Sequence, residues 1–389
     1  MRAAGDATLT DSNGSWKNLS VNGSFNASGG ILAGESLTAA SVSLRNASAS
    51  TSLSLRTLAF ADSLTVAAHS TLKTSNLATA TGRVSLIEGS SLETSSFGSQ
   101  ARPIASLTMS GDSILAGENG IGIKRLDATD SRLITTSGDM GIAGPEINIS
   151  GSSLTVEAGN LSFSGQTLAP DSVLTASKDI LIYGTISDNR ANTLKINAGD
   201  DIIARDSIHA GEIKARKNIW GTSATAKNIT AKAAALSGDL RVENGALSLK
   251  STSYAKNLIL DSSKFTFNAM RLTCEASFLN SSGYFASIKD AKYNQSGGDI
   301  TGTSLNTRLA SIVDEGILSL ENLDFANNLI INSATLKAAS VNSESGSISA
   351  INGARLEART LGSENSPIPS LLLPESQLWR QPAVSGLKI

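Results

Sequence analysis

Asp200, Asp201, Arg205, Asp206 and His209 lie within one short stretch of the chain. Paired carboxylates beside an imidazole and a guanidinium are the groups that general acid–base cleavage of an acidic sugar chain requires. The flanking residues give a plainer reading. Gly199-Asp200-Asp201-Ile202 has the form of a tight turn running into an inward-facing strand, and neighbouring strand residues point to opposite faces. Side chains so placed do not converge, so no catalytic residue is assigned, and no cofactor or metal is expected.

A second group is basic. Arg205, Lys214, Arg216, Lys217, Lys227 and Lys232 outnumber Asp206 and Glu212 over the same interval, with Trp220 among them. If coils of roughly 20 residues stack, some of these cations become surface neighbours and form a site for a polyanion such as a sulfated glycan or a lipid head group. A solvated strand face produces such runs as well.

Other motifs are quickly set aside. The single cysteine, Cys274, excludes an intramolecular disulfide and a four-cysteine zinc site, and His69 and His209 are the only histidines. Cys274, with Leu272, Phe278 and Leu279 nearby, reads as a small buried hydrophobe. Asn13, Asn18, Asn22 and Asn26 each open an Asn-x-Ser triplet, as an Asn- and Ser-rich chain does by chance. Gly120-Ile121-Gly122-Ile123-Lys124 lacks the spacing of a phosphate loop, and the residues after Gly297-Gly298 lack the calcium-binding nonapeptide.

The elements that would carry these side chains are short and repeated. Apolar-polar-apolar triplets recur at Leu19-Val21, Val42-Leu44, Leu53-Leu55, Leu64-Val66, Val84-Leu86, Leu107-Met109, Ile147-Ile149, Leu154-Val156, Leu161-Phe163, Leu194-Ile196, Leu240-Val242, Leu247-Leu249, Leu258-Leu260 and Leu318-Leu320. Each has the pattern of a minimal strand buried on one face. Their spacing suits a coil of about 20 residues holding two or three strands. Gly, Asn, Asp and Ser lie between them, as in Ala198-Gly199-Asp200, Ser237-Gly238-Asp239, Glu243-Asn244-Gly245 and Gly297-Gly298-Asp299, where they supply tight bends. Many strands open with an acidic or amide residue before an aliphatic one: Asp179-Ile180, Asp201-Ile202, Asn218-Ile219, Asn228-Ile229, Asp239-Leu240, Asn257-Leu258, Asp299-Ile300 and Asn328-Leu329.

Composition agrees. Of 389 residues, 40% are hydrophobic but only 4% aromatic and 17% charged. That suits a narrow aliphatic interior and a hydroxyl- and amide-rich surface whose side chains hydrogen-bond along the stack. Larger aromatic cores of propellers or sandwiches fit less well. Helical periodicity is nearly absent; Ala224 to Leu236 has the composition for a helix, yet Asn228-Ile229-Thr230 within it fits the strand-opening pattern. Net charge is −2, which gives no field favouring nucleic acid, and no apolar run reaches the 18 or so residues of a membrane span. The fold expected is all-β, a right-handed parallel β-helix of about 18 elongated, stacked coils, over residues 1–361. Residues 362–389 hold four of the seven prolines, Pro367, Pro369, Pro374 and Pro382, with Trp379, and read as a cap or linker.

The stretch from Thr175 through Ser251, with TASKDILIYGTISD, TLKINAGDDIIARDSI and ALSGDLRVENGALSLKS, resembles the haemagglutinin-type repeats of filamentous haemagglutinin and related large bacterial exoproteins. The resemblance covers about half the chain as rhythm rather than identity. It implies a right-handed parallel β-helix exported by two-partner secretion through an outer-membrane transporter. The corresponding function is a non-enzymatic adhesin or stalk, secreted or at the cell surface, whose elongated repeat surface binds host or bacterial glycans or proteins. The Asn-Pro-Asn motifs of the family's secretion domain are missing, and Val242-Glu243-Asn244-Gly245 departs from the pre-toxin motif Val-Glu-Asn-Asn in its last residue. Met1 to Asp6 has no apolar signal region, so the expectation is an interior or distal segment of such a protein, or else a cytosolic one. Gly211-Glu212-Ile213-Lys214-Ala215-Arg216-Lys217-Asn218-Ile219 resembles bactofilins, which implies a cytoplasmic self-polymerising scaffold as the alternative. A polysaccharide-active β-helix enzyme is the second alternative.

Overall fold

Apolar residues at every second position bury one face of a strand, and a buried face too short to make a core alone gains one by stacking on the next coil. The computed structural model shows this arrangement. It describes the chain apart from residues 47–49, 80, 100, 190, 344, 363–366, 374–378 and 381–389, and apart from the side chains of 290, 291, 379 and 380. Among the described residues every regular element is a strand, and the strands form a parallel β-solenoid of about 20 turns. Both apolar residues of every triplet named above are buried. They stack in register: Val42 pairs with Leu64, Leu64 with Val84, Val84 with Leu107 and Leu107 with Leu126. The aliphatic residue after each strand-opening Asp or Asn is likewise buried, from Ile180 to Leu329. Coil length varies, from 15 residues between Trp220 and Ala235 to 23 between Ser90 and Ser113.

Two compact units are present, Met1–Gly211 and Glu212–Ile389. In the first, one corner of six consecutive coils carries a buried serine: Ser70, Ser90, Ser113, Ser131, Ser152 and Ser172. The N–H of Ser131 donates to Oγ of Ser152 (3.1 Å), and the N–H of Ser152 to Oγ of Ser172 (3.3 Å). Each of these hydroxyls also donates to a carbonyl two residues back, Ser152 to Ser150 at 2.9 Å and Ser172 to Pro170 at 2.9 Å. A buried backbone N–H needs a partner, and the hydroxyl of the next coil supplies it. The residue before the serine takes the left-handed turn: Asp112, Asp130 and Asp171 have φ of 61°, 47° and 54°. Asp tolerates that region because its short side chain bonds locally.

The glycines at the expected bends divide into two kinds. Gly297 and Gly298 have positive φ, as a tight turn requires. Gly245 does not; a β-carbon there would collide with the carbonyl oxygen of Lys227 on the preceding coil, so close approach is what selects glycine.

In the second unit the interior holds more aromatic packing than the composition suggests. All nine phenylalanines of the chain are buried, and Phe265, Phe267, Phe278, Phe285 and Tyr293 stack with centroid separations of 5.2 to 5.8 Å. Low aromatic content therefore coexists with a local aromatic core. Ala224 to Leu236 is strand, in Asn218–Ala231 and Ala233–Leu236. Cys274 is exposed rather than buried, because it falls where the strand Lys264–Leu279 shifts register between Arg271 and Glu275 and the inward alternation lapses. Beyond Gly362, Ser370–Leu372 pairs in parallel with Ser347 to Ser349, and Trp379 and Arg380 pair with Leu356 and Glu357. Pro374 and Pro382 lie outside the described residues.

Candidate functional site

Asp201 is held by the corner it helps to build. Its N–H donates to Oδ1 of Asp179 (3.0 Å), that of Asp179 to Oδ1 of Asn160 (3.1 Å), and that of Asn160 to Oδ1 of Asp139 (2.8 Å). Asp139, Asn160 and Asp179 thus form a ladder whose side-chain oxygens accept the N–H of the residue just before each following strand. Asp200 lies at the same corner and Asp206 is exposed on the strand Ile202–Ala215. His209 belongs to a different face of that coil, where it stands in register with Ser187. Its imidazole Nε2 lies 3.8 Å from Oδ1 of Asp188, a carboxylate with 0% exposure. Asp188 Oδ2 accepts the N–H groups of Thr193 (2.8 Å) and Leu194 (3.2 Å). Leu194 takes the place of the corner serine on this coil, since Val173 pairs with Lys195, and the Asp188 carboxylate accepts its N–H. No group of three or more metal-ligating side chains occurs among the described residues.

The basic residues are distributed over several surfaces. Arg205, in the unit Met1–Gly211, holds its guanidinium 5.9 Å from the centroid of the Tyr183 ring. Lys214, Arg216, Lys217, Lys227 and Lys232 are exposed in the unit Glu212–Ile389. Two of them meet: the N–H of Lys232 donates to the carbonyl of Lys217 (2.6 Å), so both occupy one corner on consecutive coils. Lys250 joins them, its N–H on the Lys232 carbonyl at 3.0 Å. Lys227 sits instead at the register shift between Ala226 and Asn228.

Sequence reasoning missed a neighbouring face of the same unit. Trp220 pairs with Ala235, Ala235 with Tyr254, Tyr254 with Arg271 and Arg271 with Lys289, giving one outward row over five coils. Trp220 is 45% and Tyr254 48% exposed. Beside the row, Tyr254, Lys256, Arg271, Thr273 and Arg308 border a cleft of about 460 Å³. The Arg271 guanidinium lies 5.9 Å from the centroid of the Tyr254 ring, within cation–π range. None of Lys256, Arg271 and Arg308 is engaged in an ion pair among the described residues. The available signal was an aromatic residue at an outward strand position, but only coil register places Trp220, Tyr254 and Arg271 in line.

No protein-family model matches the chain, and no curated protein or solved structure shows a significant match to it.

Proposed function

We propose that the chain is a non-enzymatic binding and display segment, an adhesin or stalk portion of a secreted bacterial exoprotein of the haemagglutinin-repeat type. On this reading it reaches the cell surface through an outer-membrane transporter and engages glycans or proteins of host or bacterial surfaces. The observation that carries the reading is the register of outward side chains. In the unit Met1–Gly211, Thr8, Asn26, Ser43, Thr65, Ser85 and Thr108 form one row of hydroxyl and amide groups, each paired with the next. Rows of like groups at the interstrand spacing of about 4.8 Å present one weak contact many times, which suits multivalent attachment to a repetitive surface.

Adherence of the purified chain to intact cells, with the native protein recovered from the outer surface on fractionation, is the expected result. Recovery from the cytosol, with filaments assembling from the purified chain without nucleotide, overturns the reading in favour of a scaffold. Release of reducing ends from pectin-like polymers that is lost in Asp201→Ala overturns it in favour of an enzyme.

A further inference from the structure

We propose that the row Trp220, Ala235, Tyr254, Arg271, Lys289 binds a linear polysaccharide of carboxylated pyranose rings, laid along the stack with about one ring per coil. The inference rests on the reading of the chain as a binding scaffold and gives that scaffold a ligand.

Three observations converge. First, the chain buries all nine phenylalanines yet leaves Trp220 and Tyr254 about half exposed on one row. Indole and phenol rings carry an apolar face and a polar edge, which suits them to the C–H faces and hydroxyls of a sugar. Second, the spacing fits. Trp220 and Tyr254 are separated by the coil that carries Ala235, so their backbone positions stand roughly 9.6 Å apart, two interstrand spacings, the span of two linked pyranoses. The alanine methyl between them leaves room for the intervening ring. Third, the row becomes cationic where the aromatics end. Arg271 and Lys289 continue it, and Lys256 and Arg308 flank it across the cleft. Two of these four are arginines, whose planar fork matches a planar carboxylate through two parallel hydrogen bonds, a geometry that a compact ammonium lacks. An anionic chain with one carboxylate per ring would meet Arg271 and Lys289 on the two coils past Tyr254, before the row passes to Asn306 and Asp324.

The test uses the full chain and measures affinity for polygalacturonate, for the same polymer fully methyl-esterified, and for dextran sulfate, all at one ionic strength because exposed charges are screened. Polygalacturonate is expected to bind and its ester not to. Arg271→Ala with Arg308→Ala should weaken binding by about tenfold or more, and Trp220→Ala by about fivefold. Lys217→Ala with Lys232→Ala, at the other basic corner, should leave it unchanged. All of these side chains are exposed, and an unaltered unfolding midpoint confirms that each variant is folded. Equal affinity of the Arg271 and Arg308 variant, undiminished binding of the methyl ester, or tenfold tighter binding of dextran sulfate overturns the proposal. A chain that adheres to cells but ignores polygalacturonate sinks this ligand and leaves the display reading standing, whereas one that does neither sinks both.

Discussion

Tyr293 is a phenol placed wholly in the core, and its surroundings decide what alkali does to the fold. Burial pushes its phenol well above the usual tyrosine range, and its hydroxyl donates to Oε1 of Gln295 at 2.9 Å. The Gln295 amide in turn donates to the carbonyls of Gly298 and Ile317, both at 3.1 Å, so the polar pair is satisfied inside an aromatic core. In the unfolded chain the same phenol ionises near pH 10. Above that pH the unfolded state holds fewer protons than the folded one, so the contribution of Tyr293 is fully present below about pH 10 and is lost as pH rises, at up to about 1.4 kcal/mol per unit. Tyr293→Phe should cost about 1 kcal/mol at neutral pH through the lost hydrogen bond, and then lose less stability than the wild type between pH 10 and 12. Denaturant unfolding across that range measures both slopes; parallel curves for the two proteins would show that Tyr293 does not govern the alkaline limit.

At the scale of the strand and its corner, the structure separates what a residue pattern reveals from what it hides. Strands were legible because burial follows period two: Leu154 and Val156 must face inward wherever the coil lies. Corners were legible only as composition. The serines were read as surface hydroxyls, and along strand faces they are, as with Ser63 donating to Ser41 at 3.1 Å. At the corner the same residue type is buried, and the distinguishing sign is a left-handed residue before it, as in Asp130-Ser131 and Asp171-Ser172. The aromatic and cationic row was hidden for a related reason. Trp220 and Arg271 come into line through intervening coils of unequal length, which no fixed period in the sequence reproduces. The corner makes its own prediction. Ser152→Ala removes the acceptor of the buried Ser131 N–H and should destabilise the unit Met1–Gly211 by about 1–3 kcal/mol, whereas Ser54→Ala, at an exposed outward position, should change stability by less than about 0.5 kcal/mol. Equal unfolding midpoints for both variants would remove the serine row from the account of stability.

Within the unit Met1–Gly211, each coil pairs with the coil before and the coil after it, as Leu154, Leu174 and Ile196 do in succession. Stability is then a sum of coil terms and nearest-neighbour interfaces rather than one shared core. The same connectivity lets outward positions vary without disturbing inward ones, which is what a display surface requires, and it confines damage. Leu174→Ala removes a fully buried side chain and should cost roughly 2–5 kcal/mol through lost burial and the cavity left behind. Under nearest-neighbour coupling that loss falls mainly on three coils. Native-state hydrogen exchange should show amides around Leu154, Leu174 and Ile196 opening more readily, while those around Leu53, Leu72 and Leu92, stacked several coils away in the same unit, keep wild-type protection. A uniform drop over all these coils would mean that Met1–Gly211 unfolds as one cooperative block. In that case a weakened coil would loosen every row in the unit at once, and the independence of surface from interior would hold only for substitutions that leave the ladders intact.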